Sequence, residues 1–179
     1  NDLEQTTPDL ESFLKNLGLK IRIKIADEFS IPRISQLSLK TNQFNLTTKR
    51  YQESDIKKFS EDDDYIVGSA QVEDKFGDNG VTGVFIINKK NSKEWLVDTF
   101  LLSCRVMGRE VEKAMLGYIL NKAKENEVEI VKAQFIPTQK NKPIETFLPN
   151  CGFQKEGDYW NYSLKIPFIV PNYLKVDDE

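Results

Sequence analysis

Apolar and polar positions change period several times along the chain, and each change marks an element. Leu10, Phe13, Leu14 and Leu17 recur at helical spacing and stop at Gly18, predicting a short helix with a glycine stop. Lys20 to Ile25 alternates basic and apolar residues, the period of a strand with one wet face, which we read as an edge strand. Ser30-Ile31-Pro32 then offers an N-cap with proline just inside, and Ile34, Leu37 and Leu39 carry a second helix to Lys40. On this pattern residues 1–40 form a βα lead-in outside the main sheet, and residues 41–179 form the main domain.

The uncharged polar cluster Thr41 to Asn45 precedes a predicted strand, Leu46 to Arg50, and a short helix, Ser54 to Phe59. Asn and Gln in such a joint are read as tying turns ahead of binding a ligand. Tyr65 to Val72, Val81 to Ile87 and Trp95 to Leu102 are β-rich runs separated by turn-forming stretches, which predicts an antiparallel meander. Val111, Ala114, Met115, Tyr118, Ile119 and Lys122 return to helical spacing, so a helix from about Arg109 to Asn126 lays one face on that sheet. Glu129 to Ile136 reads as a strand, Asn141 to Leu148 as a short helix interrupted at Pro143, and Phe153 to Lys165 as two strands around Gly157-Asp158. The succession is α/β (α+β): a mixed, mostly antiparallel central sheet flanked by helices.

Composition narrows the chemistry. With 179 residues, 39% of them hydrophobic, the chain can build one good core. Its net charge is −3 and its basic residues are scattered, so nothing electrostatic recommends nucleic acid or an anionic membrane as partner. No apolar run approaches the ~20 residues of a membrane span and no signal pattern opens the chain, so a cytoplasmic, soluble protein is expected. The start at Asn1 on a polar stretch suggests a piece of something longer. Two cysteines, Cys104 and Cys151, are too few for a disulfide framework and have no metal-type spacing. Histidine is absent, which removes Ser-His-Asp and Cys-His catalysis and most zinc sites, and leaves acid–base work to Asp, Glu, Lys, Tyr or Cys. The acidic run Glu61 to Asp64 lacks calcium-loop spacing and reads as a solvated turn. No metal is expected.

The stretch from Trp95 to Asn126 organises the rest: an apolar strand, a turn carrying Cys104 to Arg109, then the long helix. A strand running straight into a helix presents unpaired N–H groups and the positive helix end, an anion cradle. Arg105-Val106-Met107-Gly108-Arg109-Glu110 resembles the Gln/Arg-x-x-Gly-x-Gly/Ala turn of GNAT acyltransferases, and Asn141, Phe147 and Gly152-Phe153 resemble that family's Asn-containing helix and closing Gly-Phe. The strings Pro32 to Leu37, Lys40 to Thr48, Asp74 to Gly80 and Ser103 to Arg109 are similar, more narrowly, to the C-terminal GNAT-like region of FkbH-like proteins. Those proteins join it to an N-terminal haloacid-dehalogenase-type domain that loads a glyceryl unit onto an acyl carrier protein. The Asp-x-Asp-x-Thr motif of that domain is absent here.

The resemblance implies coenzyme A, acyl-CoA or acyl-phosphopantetheine held by Leu102, Ser103, Arg105, Val106, Met107, Gly108, Arg109, Glu110 and Asn141. It implies direct attack by the acceptor, with no side-chain nucleophile, and leaves Asp98, Cys104 and Tyr159 as candidates for proton transfer. It also implies an acyl carrier protein and the dehalogenase-type domain as partners. Two residues depart from the family pattern: Glu110 replaces a Gly or Ala, and Leu148 stands where a proton-returning tyrosine is common. Three readings follow: an acyltransferase acting on a carrier-bound or amine acceptor, a non-catalytic module that docks a carrier protein for the dehalogenase-type half, or a structural domain without a ligand.

Overall fold

The computed structural model of the chain describes residues 7–178. Its elements are, in order, α1 (Thr7–Leu17), β1 (Lys20–Ile25), α2 (Ile31–Lys40), β2 (Phe44–Asn45), α3 (Glu53–Glu61), β3 (Tyr65–Asp74), β4 (Gly77–Asn91) and β5 (Glu94–Leu102). A single 3-10 turn, Cys104–Val106, leads into α4 (Val111–Glu125). Then come β6 (Ile130–Ala133), a second 3-10 turn at Lys142–Ile144, α5 (Phe147–Asn150), β7 (Gln154–Glu156), β8 (Tyr159–Ser163) and β9 (Lys175–Asp178).

One nine-stranded sheet runs in the order β7-β8-β6-β5-β4-β3-β1-β9, with β2 added to β5. The β3-β4-β5 meander is antiparallel as its alternating runs predict, and β6 joins β5 in parallel. Helices cover both faces, the α/β architecture expected. On one face Ile34 and Leu37 of α2 and Ile56 of α3 pack on Val67, Val84, Ile86 and Leu101. On the other, α1 and α4 bury Leu14, Leu17, Met115, Tyr118 and Ile119 against Ile23, Phe85, Ile87 and Phe100. Because both faces are covered, Val84 to Ile87 reads as a continuous apolar run, each residue at most 1% exposed. Burying such a side chain contributes about 1.5–3 kcal/mol. Close approach requires glycine at Gly83, where an added Cβ would stand 2.5 Å from the Met115 sulfur of α4.

Several expectations are corrected. The strand Lys20–Ile25 is neither an edge nor outside the main sheet: it pairs with β3 over six residues on one side and with β9 on the other. Its partner β9, Lys-Val-Asp-Asp, carries no apolar alternation, so no sequence pattern announced it. Ser30 does not cap α2 with its side chain; Asp27 accepts from the N–H groups of Phe29 and Ser30, which holds its carboxyl below the ordinary carboxylate value. The strand predicted over Leu46 to Arg50 does not form; the strand residues here are Phe44–Asn45, just before it. Asn45 folds the chain back, donating to Thr41 O and accepting from the N–H of Thr48, itself left-handed at φ +54°. Asn45 therefore ties a turn, as the polar cluster suggested.

Candidate functional site

The site is set by a bend in β5. Thr99 pairs with Ile86 and Val97 with Ile87, so Asp98 is an extra residue on β5, a bulge that bends the strand. Parallel pairing with β6 is confined to Glu94, Trp95 and Leu96, and beyond them the two strands part. The opening wedge is filled by the chain itself. Phe44 pairs with Leu102 and Asn45 with Leu101, Leu46 N–H donates to Phe100 O (3.2 Å), and the Thr47 hydroxyl donates to Asp98 O (2.9 Å). On the other side, Ile136 N–H donates to Leu46 O (2.9 Å). Phe44, Phe100 and Phe147 cluster around this insertion with ring centroids within 6.1 Å of one another, Phe100 stacked on Phe147 and Phe44 edge-on to Phe147.

Above the wedge β5 turns into α4. Ser103 Oγ accepts from the N–H of Arg105, Val106 anchors the turn in the core, and Gly108 (φ +84°) and Glu110 (φ +62°) both take left-handed backbone. The backbone N–H groups of Gly108, Arg109, Glu110 and Val111 have no acceptor among the described residues. They precede a helix of 15 residues, and the unpaired donors and positive helix end together favour an anion. An added Cβ at Gly108 would meet nothing within 4 Å, so the approach there is open.

The Glu110 side chain is held by two partners. Its carboxylate accepts from the hydroxyl of Tyr173, in the C-terminal segment, and pairs with Lys113 at 3.3 Å. Burial and this carboxylate push the Tyr173 hydroxyl well above its ordinary pKa. Arg109 pairs with the buried carboxylate of Asp74, at the β3–β4 turn, so its charge is already engaged. Arg105 is exposed on the other side of the turn, and Met107 is half-buried beside the core.

The remaining predicted residues divide. Leu102 ends β5 at the mouth of the wedge, Ser103 follows it, and Cys104 is exposed beside them. Asn141 is 0% exposed and fully engaged: its Nδ2 donates to Asn45 O and Ile136 O and its Oδ1 accepts from Thr138 N–H. Asp98 accepts from Lys49 Nζ (2.9 Å), Tyr51 OH (2.8 Å) and Thr99 Oγ1 (2.9 Å), so it ties the segment after β2 rather than standing free as a base. Tyr159 is not brought to the turn. It lies near Glu94 and Lys132, and Glu94 starts the nine-residue β5 that Leu102 ends, a span of about 26 Å. Leu148 is buried in the core.

Sequence reading missed a cleft of about 440 Å³ beside the same turn. Arg33 and Lys40 from α2, Arg105 from the turn and Lys140 from the β6–α5 connection line it, together with Phe44 and Leu102, and no acidic side chain does. Arg33 and Lys40 lie far from Arg105 in the sequence, and only folding brings them to it. A second feature missed is Glu112, on the first turn of α4: its Oε1 is buried without a hydrogen-bond partner, and burial raises its pKa. Burial, with Glu112 nearby, pushes the Cys151 thiol up to about 11. Among the described residues no group of three or more His, Cys, Asp or Glu side chains could hold a metal, and no helix is long and apolar enough to cross a membrane.

No protein-family model matches the sequence, and no curated protein matches it. Solved structures do match the fold. A GNAT-family acetyltransferase from Staphylococcus aureus superposes with a TM-score of 0.62 at 12% identity, over 80% of this chain and 99% of that one. The ribosomal-protein-S18-alanine N-acetyltransferase of Escherichia coli gives 0.58 at 10% identity, over 76% and 79%. The spermidine N-acetyltransferase of Vibrio cholerae, solved with CoA and spermine, gives 0.58 at 11% identity, over 79% and 92%. At such identities a likeness establishes the fold, and this chain has the fold of the GNAT acetyltransferases.

Proposed function

We propose that this domain binds an acyl thioester of coenzyme A or phosphopantetheine and transfers the acyl group to an acceptor. The observation that carries the reading is the row of unpaired N–H groups from Gly108 to Val111, placed at the end of a strand that parts from its parallel neighbour. Those donors suit a diphosphate or phosphate ester, and Glu110 beside them is engaged by Tyr173 and Lys113. The thioester supplies an activated acyl group; the chain supplies binding and orientation. For the arm to pair with β5, Phe44 to Leu46 must yield the edge they occupy at Leu102 and Phe100. Asp98 and Asn141 position this region through the chain's own backbone. Cys104 is the proton-transfer candidate left beside the turn.

A second reading is favoured by the same insertion. With the wedge filled by Phe44 to Leu46, the domain serves as a GNAT-shaped module that docks an acyl carrier protein for a haloacid-dehalogenase-type partner domain. The similarity of Pro32 to Leu37, Lys40 to Thr48 and Ser103 to Arg109 to FkbH-like proteins supports that context for either reading.

Calorimetric titration separates them, using coenzyme A, acetyl-CoA, and a carrier protein with and without its phosphopantetheine arm. Saturable acetyl-CoA binding that Gly108→Trp abolishes supports transfer. Binding of the carrier alone supports docking, and no response to any of these sinks both.

A further inference from the structure

The basic cleft shares Phe44, Leu102, Ser103, Cys104 and Arg105 with the end of β5 and the turn, whereas Arg33, Lys40 and Lys140 belong to it apart from the cradle, whose donors are the N–H groups leading into α4. Arg33, Lys40, Arg105 and Lys140 reach it from three separate parts of the fold. None of the four forms an ion pair with a carboxylate among the described residues. In a chain of net charge −3, four cations converging without one acid is a local reversal of sign.

The hydrogen bonds of Arg33 leave its Nη2 without a partner among the described residues. Its Nε donates to Val81 O (3.2 Å) and its Nη1 to Gln36 Oε1 (2.8 Å), which fixes the guanidinium plane with neutral partners only. Burial and the nearby positive charge of Arg105 lower its pKa, so the two guanidinium groups repel across the cleft. An anion between them converts that repulsion into two charge-assisted contacts. The volume, about 440 Å³, suits a small molecule rather than a bare ion, and Phe44 and Leu102 give it an apolar wall.

We infer that this cleft binds a small molecule bearing a phosphate monoester. A dianion matches several converging cations better than a monocarboxylate, and the apolar wall takes the organic part. Anion binding rests on the cleft; that the bound molecule is the acyl acceptor rests on the acyltransferase reading above.

The test uses inorganic phosphate and phenyl phosphate as probes, titrated calorimetrically at low salt against the whole chain, beside acetyl-CoA. Both probes bind saturably, phenyl phosphate more tightly, and affinity falls as salt rises. Lys40→Glu and Lys140→Glu, at exposed positions that leave folding intact, each weaken phenyl phosphate at least tenfold, as does Arg33→Gln, and leave acetyl-CoA binding within twofold. Gly108→Trp leaves phenyl phosphate binding intact. Absence of saturable phosphate binding, or binding unchanged in all three cleft variants, overturns the inference. So does loss in Gly108→Trp alone, which would assign the anion to the turn. Phenyl phosphate binding without any acetyl-CoA binding upholds the cleft and defeats the acyltransferase reading.

Discussion

The side-chain amide of Asn141 donates to the backbone oxygen of Asn45 at 3.0 Å, across 96 residues, and its second hydrogen bond reaches Ile136 O at 2.9 Å. One buried amide therefore pins the inserted segment β2 to the chain leaving β6 and closes the wedge between β5 and β6. Asn141→Ala leaves Asn45 O and Thr138 N–H without this partner, and a cost of about 1–3 kcal/mol is expected. Hydrogen exchange measures the consequence for function: the Leu46 amide, bonded to Phe100 O, exchanges faster in Asn141→Ala while amides of β3 and β4 do not. Unchanged Leu46 protection would show that the pin does not hold the insertion.

Asp98 gathers Lys49, Tyr51 and Thr99 around the bulge of β5. Asp98→Ala should destabilise the fold by about 1–3 kcal/mol, read as a fall in denaturant midpoint, because the Tyr51 and Thr99 hydroxyls lose their acceptor in a half-buried place. In a transfer assay the change should scale with the loss of folded protein. A large loss of turnover with stability intact would restore it as a base.

Glu112 gives the chain a pH dependence of stability. Its folded pKa is raised above 4.5 by burial, so the folded state holds the proton more tightly than the unfolded state. The stability tied to this proton is fully present below about 4.5 and is lost as pH rises from there through the raised value. Glu112→Gln should remove that loss and raise the melting temperature at neutral pH relative to the parent. A melting temperature at pH 7 equal to or below the parent's, with the same slope, would contradict the assignment.

The two cysteines should differ in reactivity. Cys104 is exposed, whereas burial pushes the Cys151 thiol up to about 11, leaving roughly one part in a thousand as thiolate at pH 8. Iodoacetamide followed by peptide mass spectrometry should modify Cys104 first and Cys151 only after unfolding. Equal rates would place Cys151 in a more open setting.

The sequence by itself determined the central strands and most of the helices, because their periods are local: the meander from Tyr65, the helix after Glu110 and the Gly157 hairpin all lie where alternation and spacing put them. It also exposed the turn from Arg105 to Glu110, since glycine at a left-handed position between strand and helix leaves a local mark. Tertiary structure decided the rest. That β9 covers β1, that Glu110 accepts from Tyr173, and that Arg109 is engaged by Asp74 depend on contacts between residues far apart in sequence. The same holds for Phe44 to Leu46 in the wedge and for Arg33, Lys40, Arg105 and Lys140 around one cleft. Each of those side chains obeys no period, and charge or hydrogen-bonding partners separated along the chain become neighbours only when the sheet forms.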